Sequence, residues 1–149
     1  MKTLYLMQGI SASGKSTVAN MIHEYEDNVL DRYGEIASTD DLWYDEFGKY
    51  NFDITKLSEK HKENQEFVRQ LMLSPNVEYV IIDNTNMTNK EAQPYLNLAK
   101  EFNYEVRVIS VSCSLENSKK YNSQRNEDRK VPEEVIDNQN KRFERINLE

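Results

Sequence analysis

The sequence predicts an α/β fold in which a parallel sheet of four or five strands is flanked by helices. Short apolar runs alternate along the chain with longer amphipathic stretches, the order expected for parallel strands joined by helical crossovers. The first apolar run leads directly into a glycine loop. The 149 residues contain no repeat and no Pro/Gly/Ser-rich linker, so we expect one domain over residues 1–149.

Each predicted strand is a short apolar run, and most predicted helices begin at a capping residue. The predicted strands are Leu4–Gln8, Glu35–Ser38, Val77–Ile82 and Tyr104–Val111. The predicted helices are Lys15–Tyr25, Asp40–Phe47, about 55–73, 88–102 and 114–124, and a last helix whose first residue is Pro132. Its buried face is expected to contain Val135, Gln139, Arg142 or Phe143, and Ile146.

Composition and charge exclude several classes of protein. No apolar run reaches the roughly 18 residues that a membrane helix needs, and residues 1–7 are better explained as a buried strand than as a signal peptide. The net charge of −7 means that a polynucleotide could be bound only through a local basic patch. Cys113 is the only cysteine, so we expect no internal disulfide and a reducing, cytoplasmic location.

Residues 9–16 match the phosphate-binding pattern G-x-x-x-x-G-K-[ST] in full. Glycines let the backbone amides approach phosphate, Lys15 can reach the β- and γ-phosphates, and Ser16 can offer its hydroxyl to Mg²⁺. The guanine-recognition pattern N-K-x-D is absent, which favours ATP over GTP. We therefore predict that ATP and Mg²⁺ are bound here, by Gly9, Ser11, Ala12, Ser13, Gly14, Lys15, Ser16 and Thr17.

Acidic residues follow two of the predicted strands. Asp40 stands where ligands bind in parallel sheets, and it could accept the proton of an attacking hydroxyl or merely cap the next helix. Asp83 ends the apolar third strand and could hold magnesium together with Ser16, although it could also be a turn residue. Asp41, Asn84 and Asn86 would extend this polar rim towards a substrate.

Two polar side chains interrupt an apolar stripe on the helix at 55–73. His61 and Asn64 share that face with Leu57, Val68 and Leu71 because these residues alternate in steps of four and three. The two polar residues could line a cleft for an acceptor. Alternatively, His61 is a hydrogen-bonded histidine at the edge of the core.

Basic residues are concentrated between Lys119 and Lys130 of an otherwise acidic chain. Arginine matches phosphate oxygens with paired hydrogen bonds, so Arg125 and Arg129 could close over ATP as part of a lid at about 114–131. The alternative is a solvated charged face.

Taken together, these segments resemble the small P-loop kinases typified by the kinase domain of phage polynucleotide 5′-kinase. The resemblance rests on Gly9–Thr17, Thr39–Asp41, Val80–Asn86 and Asn122–Arg125 followed by Val131-Pro132. It implies an adenylate-kinase-like core with a helical lid, ATP as donor and a 5′-hydroxyl of a nucleic acid as acceptor. It also implies that Asp40 is the general base and Arg125 the lid arginine.

Two departures from that family concern the acceptor. Trp43 stands where the family has an arginine that holds the acceptor's phosphate, and it could stack on a base or belong to the core. The family's third-strand aspartate aligns with Asn84 rather than with Asp83. A nucleoside or nucleoside monophosphate kinase is therefore an alternative, and an ATP-dependent switch without an acceptor is an alternative of a different class.

Overall fold

The computed structural model describes residues 1–148, which form one four-stranded sheet and five α-helices. The strands are β1 (Thr3–Gln8), β2 (Gly34–Ala37), β3 (Tyr79–Ile82) and β4 (Glu105–Ser110). The helices are α1 (Lys15–Asn28), α2 (Leu57–Leu73), α3 (Asn89–Glu101), α4 (Leu115–Ser123) and α5 (Glu133–Arg142). Short 3₁₀ turns lie at Thr39–Trp43, Ile54–Lys56 and Glu127–Arg129.

The sheet has the order β2-β3-β1-β4, and every pairing in it is parallel. All six residues of β1 are buried because β1 has a neighbour on each side and helices on both faces. Parallel pairing brings the carboxyl ends of β1, β2 and β3 to one edge of the sheet. Three features therefore meet at that edge: the glycine loop after β1, Asp83 after β3, and the turn from Thr39 to Trp43 after β2. The predicted α/β P-loop fold is confirmed, with four strands.

Two apolar clusters hold the helices against the sheet. The larger cluster joins the sheet to α2 and α3, and its members include Leu4, Val68 and Tyr95. The smaller cluster lies under α1 on the opposite face. A third cluster, made by Ile10, Met87 and Ile136, seats α5 beneath the glycine loop. The last helix is thus attached to the segment that follows β1.

The predicted helix at 40–47 is wrong. Only the 3₁₀ turn to Trp43 forms, after which Tyr44 is extended and pairs with Tyr50 in an isolated antiparallel bridge. The reversal between them is stabilised by Asp45, whose carboxylate accepts hydrogen bonds from the backbone N–H groups of Phe47 and Lys49. These local bonds replace the helical ones.

On the buried face of the last helix, Ile136 takes the place predicted for Val135. Pro132 lies just outside α5, and Ile136 and Gln139 face the interior, whereas Val135 and Phe143 are exposed. Ile146 is buried, but it lies beyond the end of the helix. The remaining elements agree with the predicted ones to within three residues at either end. No helix in residues 1–148 is both long and apolar enough to cross a bilayer.

Candidate nucleotide and acceptor site

The glycine loop has the backbone shape of a phosphate cradle. Ala12 and Gly14 adopt positive φ angles of 60° and 98°, so successive peptide groups turn inward ahead of α1. A Cβ atom at Gly9 would lie 2.8 Å from the Ser13 Oγ atom and 2.9 Å from the Val111 carbonyl oxygen, which leaves room only for glycine. No side chain caps the start of α1, so its first N–H groups are available to an anion.

Two buried polar side chains in this loop lack the partners that a phosphate would supply. The Ser13 hydroxyl is buried and makes no hydrogen bond. The Lys15 amine donates to the Ile10 carbonyl at 3.1 Å and has no carboxylate partner among the ion pairs of residues 1–148. Burial lowers the pKa of Lys15, while the charges of Asp83 and Asp40 oppose that shift. An anionic oxygen would satisfy both groups, so the loop fits a triphosphate.

Ser16 and Asp83 meet where a nucleotide-bound metal ion would sit. The Ser16 hydroxyl donates to the Asp83 carboxylate over 2.7 Å, although the two residues are 67 positions apart in the chain. A hydroxyl and a carboxylate are the hard oxygen ligands that Mg²⁺ takes beside phosphates. The predicted metal residues are thus brought together, and Mg²⁺ held there would neutralise charge on the phosphates.

The loop is braced from the carboxyl-terminal half of the chain. The Gln139 side chain on α5 accepts from the Ser11 N–H and donates to the Ser11 hydroxyl, both at 2.9 Å. The Ser118 hydroxyl on α4 donates to the Ser11 carbonyl. Ser11 is therefore held by two later helices. Asn86 is also structural, because it is buried and donates to the Met7 carbonyl at 2.7 Å, so it does not line the acceptor rim as predicted.

Asp40 lies on the exposed side of the rim. Its side chain is 62% exposed, and its Oδ2 atom is 4.0 Å from the Arg129 guanidinium. The turn beneath it is fixed by the backbone N–H of Thr39, which donates to the Asn84 Oδ1 atom at 3.0 Å. Burial, followed by the charges of Asp40 and Asp83, raises the pKa of the neighbouring Asp41 carboxyl. Asp40 is thus an accessible carboxylate on a fixed turn, which a general base requires.

Two predicted acceptor residues face the interior instead of a cleft. Trp43 is 4% exposed and packs on Phe52 at a ring distance of 4.9 Å, so it is a core residue and has no free face for a base. Asn64 is fully buried and donates to the Tyr95 hydroxyl at 2.8 Å. His61 is exposed, and its ring nitrogen lies 3.4 Å from the Thr39 hydroxyl. Of the predicted helix pair, only His61 can meet a ligand.

The segment predicted to be a lid, about 114–131, includes a helix that is held in place. Helix α4 is tied to the glycine loop through Ser118, which leaves about 123–130 as the part of that segment without such a tie to the glycine loop among the hydrogen bonds of residues 1–148. Asn122 closes the base of that segment, because its side chain donates to the Val131 carbonyl at 2.6 Å and accepts from the Val131 N–H at 3.0 Å. The two ends of the segment are therefore tied to one another.

Arg125 lines the donor cavity, and Arg129 does not. The cavity of about 360 Å³ is bordered by residues 12–17, including the exposed Thr17, and by Tyr121 and Arg125. Burial and then the charge of Arg129 lower the pKa of Arg125, which still carries a positive charge at neutral pH. Arg129 instead lies over the rings of Tyr44 and Tyr50, beside Asp40.

Sequence reasoning missed three tyrosines of this site. Tyr121 borders the donor cavity, while Tyr44 and Tyr50 stand beside Asp40. Tyr121 lies on the basic helix and could have been noticed there. No pattern in the sequence distinguishes Tyr44 and Tyr50 from the other seven tyrosines.

Several known proteins are similar to this chain in sequence or in fold. Human NEDD4-binding protein 2 is 38% identical over 103 residues, which is 69% of this chain and 5% of that protein. Kti12 from Chaetomium thermophilum, solved with ADP-AlF₃, superposes with a TM-score of 0.72 at 21% identity, over 97% of this chain and 81% of its own. A chain of the Pnkp1/Rnl/Hen1 RNA repair complex gives a TM-score of 0.69 at 18% identity, over 95% of this chain and 44% of its own.

These structural similarities show a shared α/β P-loop fold. The chain spans only a small part of the human relative, so that protein's activity as a whole is not carried over. The family match is broader, because it covers residues 4–146 and includes every element of the site. The chain belongs to the AAA_33 family, described as an AAA domain.

Proposed function

We propose that this protein is a kinase that transfers the γ-phosphate of ATP to a hydroxyl, with the 5′-hydroxyl of a polynucleotide as its acceptor. One observation carries the proposal. An exposed carboxylate, Asp40, stands at the same sheet edge as the phosphate cradle and the Ser16–Asp83 pair. The charge of Asp40 also opposes the lowering of the Lys15 pKa by burial.

Each residue of the site would have its own role in phosphate transfer. Lys15 and the loop amides would hold the donor phosphates, and Ser16 with Asp83 would hold Mg²⁺. Asp40 would accept the proton of the acceptor hydroxyl as its oxygen attacks the γ-phosphorus and the bond to the β-phosphate oxygen breaks. Arg125 would stabilise negative charge on the phosphates. Lys15, Ser16 and Arg125 line one cavity, and Asp83 contacts Ser16 at 2.7 Å.

A kinase for nucleosides or nucleoside monophosphates is the second candidate. The net charge of −7 favours it, since a polynucleotide would meet an acidic surface. A salt titration of binding separates the two candidates, because several phosphate contacts make affinity fall steeply with salt. A non-catalytic ATP-dependent switch is the third candidate, and it predicts that no hydroxyl compound receives phosphate.

The test offers labelled ATP to 5′-hydroxyl RNA, 5′-hydroxyl DNA, nucleosides and nucleoside monophosphates. We expect Asp40→Asn to slow transfer by roughly 10²- to 10⁴-fold, because general-base catalysis contributes that much, while ATP binding is unchanged. Asp128→Asn, at an exposed position in the lid segment, is the matched control. Equal transfer by Asp40→Asn and the wild type would exclude Asp40 as the base.

A further inference from the structure

Two tyrosines border the carboxylate to which the acceptor hydroxyl must come. The rings of Tyr44 and Tyr50 meet edge to face, with centroids 5.2 Å apart. The Arg129 guanidinium lies 4.9 Å from the Tyr50 centroid and 5.7 Å from the Tyr44 centroid, and it also donates to the Tyr44 hydroxyl. The same guanidinium is 4.0 Å from the Asp40 carboxylate, so the rings and Asp40 share one cation.

The turn that carries the rings is held in place by its own hydrogen bonds. Asp45 accepts from the N–H groups of Phe47 and Lys49 and from the Asn51 amide, each at 2.9 Å. The Asn51 N–H then donates to the carbonyl of the buried Trp43 at 2.8 Å. Because the turn is anchored to the core, the rings need little further ordering when a ligand arrives.

The chemistry of this surface selects among possible acceptors. Here a ligand would meet two aromatic rings and one guanidinium. A nucleotide offers a planar base that stacks on rings and a phosphate that pairs with arginine. Tyr44 is 40% exposed, so a base can reach it. Burial, followed by the charge of Asp40, raises the pKa of Tyr50 to about 12, so that phenol is neutral and does not repel phosphate.

We infer that Tyr44, Tyr50 and Arg129 form the binding site for the terminal nucleotide of the acceptor, with its base stacked on the tyrosine pair. This inference rests on the proposed function and adds residues that supply affinity for the acceptor. Stacking needs no particular base, so the site would accept several sequences. Arg129 would then pair with the acceptor's phosphate and release Asp40 for the hydroxyl.

The test measures binding separately from transfer. A fluorescent single-stranded tetranucleotide that already carries a 5′-phosphate is titrated in the presence of ADP, so that binding needs no reaction. We expect Tyr44→Leu to weaken binding by roughly 5- to 150-fold, the value of one base–aromatic stack. Tyr44→Phe keeps the ring and should remain within about three-fold of the wild type. Tyr25→Leu is the matched control, since Tyr25 is 54% exposed on α1.

The results test the tyrosine site and the proposed kinase activity separately. Loss of binding in Tyr44→Leu alone supports the inference, and melting curves of the variants exclude unfolding as its cause. Equal binding by Tyr44→Leu and Tyr25→Leu, or no binding by the wild type, overturns it. Normal binding without transfer to any hydroxyl contradicts the proposed kinase activity and leaves the nucleotide site intact. Transfer that is insensitive to Tyr44→Leu leaves the kinase and removes the tyrosine site.

Discussion

One continuous segment, residues 9–17, supplies most of the groups that would hold the donor, whereas the proposed acceptor side combines residues 40–50 with Arg129 from a distant part of the chain. On the donor side, backbone angles and short-range contacts create the cradle, and Ser11 is braced by two helices. On the acceptor side, Asp40, the tyrosine pair and Arg129 meet through long side chains at the surface. The donor side therefore takes its shape from local chain geometry and is braced by packing, whereas the proposed acceptor side needs Arg129 to be brought to Asp40 by packing alone.

This difference explains why a P-loop predicts a donor more readily than an acceptor. A phosphate tail is the same in every nucleotide, and a ring of amides with one lysine can grip it. An acceptor would be recognised by whichever side chains the fold brings to Asp40. In this chain aromatic rings and Arg129 lie beside Asp40, while Trp43 is buried in the core.

The largest effect is expected on ATP binding, when the charge of Lys15 is removed. Lys15→Met keeps the length of the side chain but removes its charge, and a hydrogen bond to a charged group contributes about 1.5–3 kcal/mol. We expect ATP binding to weaken by roughly 10- to 150-fold in titration calorimetry. Lys62→Met, at an exposed position on α2, should bind ATP as the wild type does. Unchanged affinity in Lys15→Met would mean that the loop does not hold the triphosphate as proposed.

A smaller effect is expected from loosening the lid. Asn122→Ala removes both hydrogen bonds to the Val131 backbone, and leaving such groups unpaired costs about 1–3 kcal/mol of unfolding free energy, measurable by urea denaturation. Arg125 and Arg129 both lie in the segment that Asn122 closes, but the glycine loop would still hold ATP, so we expect tetranucleotide binding to fall more than ATP binding. The exposed neighbour Asn126→Ala serves as control. An equal loss for both ligands would show that the lid serves the two sides alike.

The smallest effect concerns the charge at Asp41. Burial and the charges of Asp40 and Asp83 raise the pKa of this carboxyl in the folded protein. In the unfolded chain the pKa has its ordinary value of about 3.9, so between the two pKa values the folded protein holds a proton that the unfolded chain has lost. Stability is therefore lost as the pH rises through that window. We expect Asp41→Asn to raise the melting temperature at pH 7 by no more than about 2 °C, and to lose this advantage below about pH 3.9.

Asp128→Asn, at an exposed lid position, should show no such pH-dependent gain in a parallel set of melting curves. A lower melting temperature for Asp41→Asn at pH 7 would contradict the argument. It would mean that the charge of Asp41 stabilises the folded protein instead of destabilising it through burial and repulsion from Asp40 and Asp83.

Much of the fold follows from the sequence because its signals are local. Alternation of apolar runs with amphipathic stretches predicts the strands, and Thr88 accepts from the Glu91 N–H as the capping box indicates. The predicted buried face of the last helix is wrong at Val135. The helix carries few apolar residues, so Val135 and Ile136 are equally good candidates for that face. Only packing against Ile10 and Met87 selects Ile136.

The sequence by itself determined the phosphate cradle, since two glycines, one lysine and the Ser16 hydroxyl lie within nine consecutive residues. Only the tertiary structure decided that Asn64 and Asn86 are buried, that Ser16 meets Asp83, and that a tyrosine pair and Arg129 border Asp40. The physical reason is the range of the interactions. Backbone conformation is fixed by neighbours in the chain, whereas contacts between distant side chains depend on how the helices and the sheet pack.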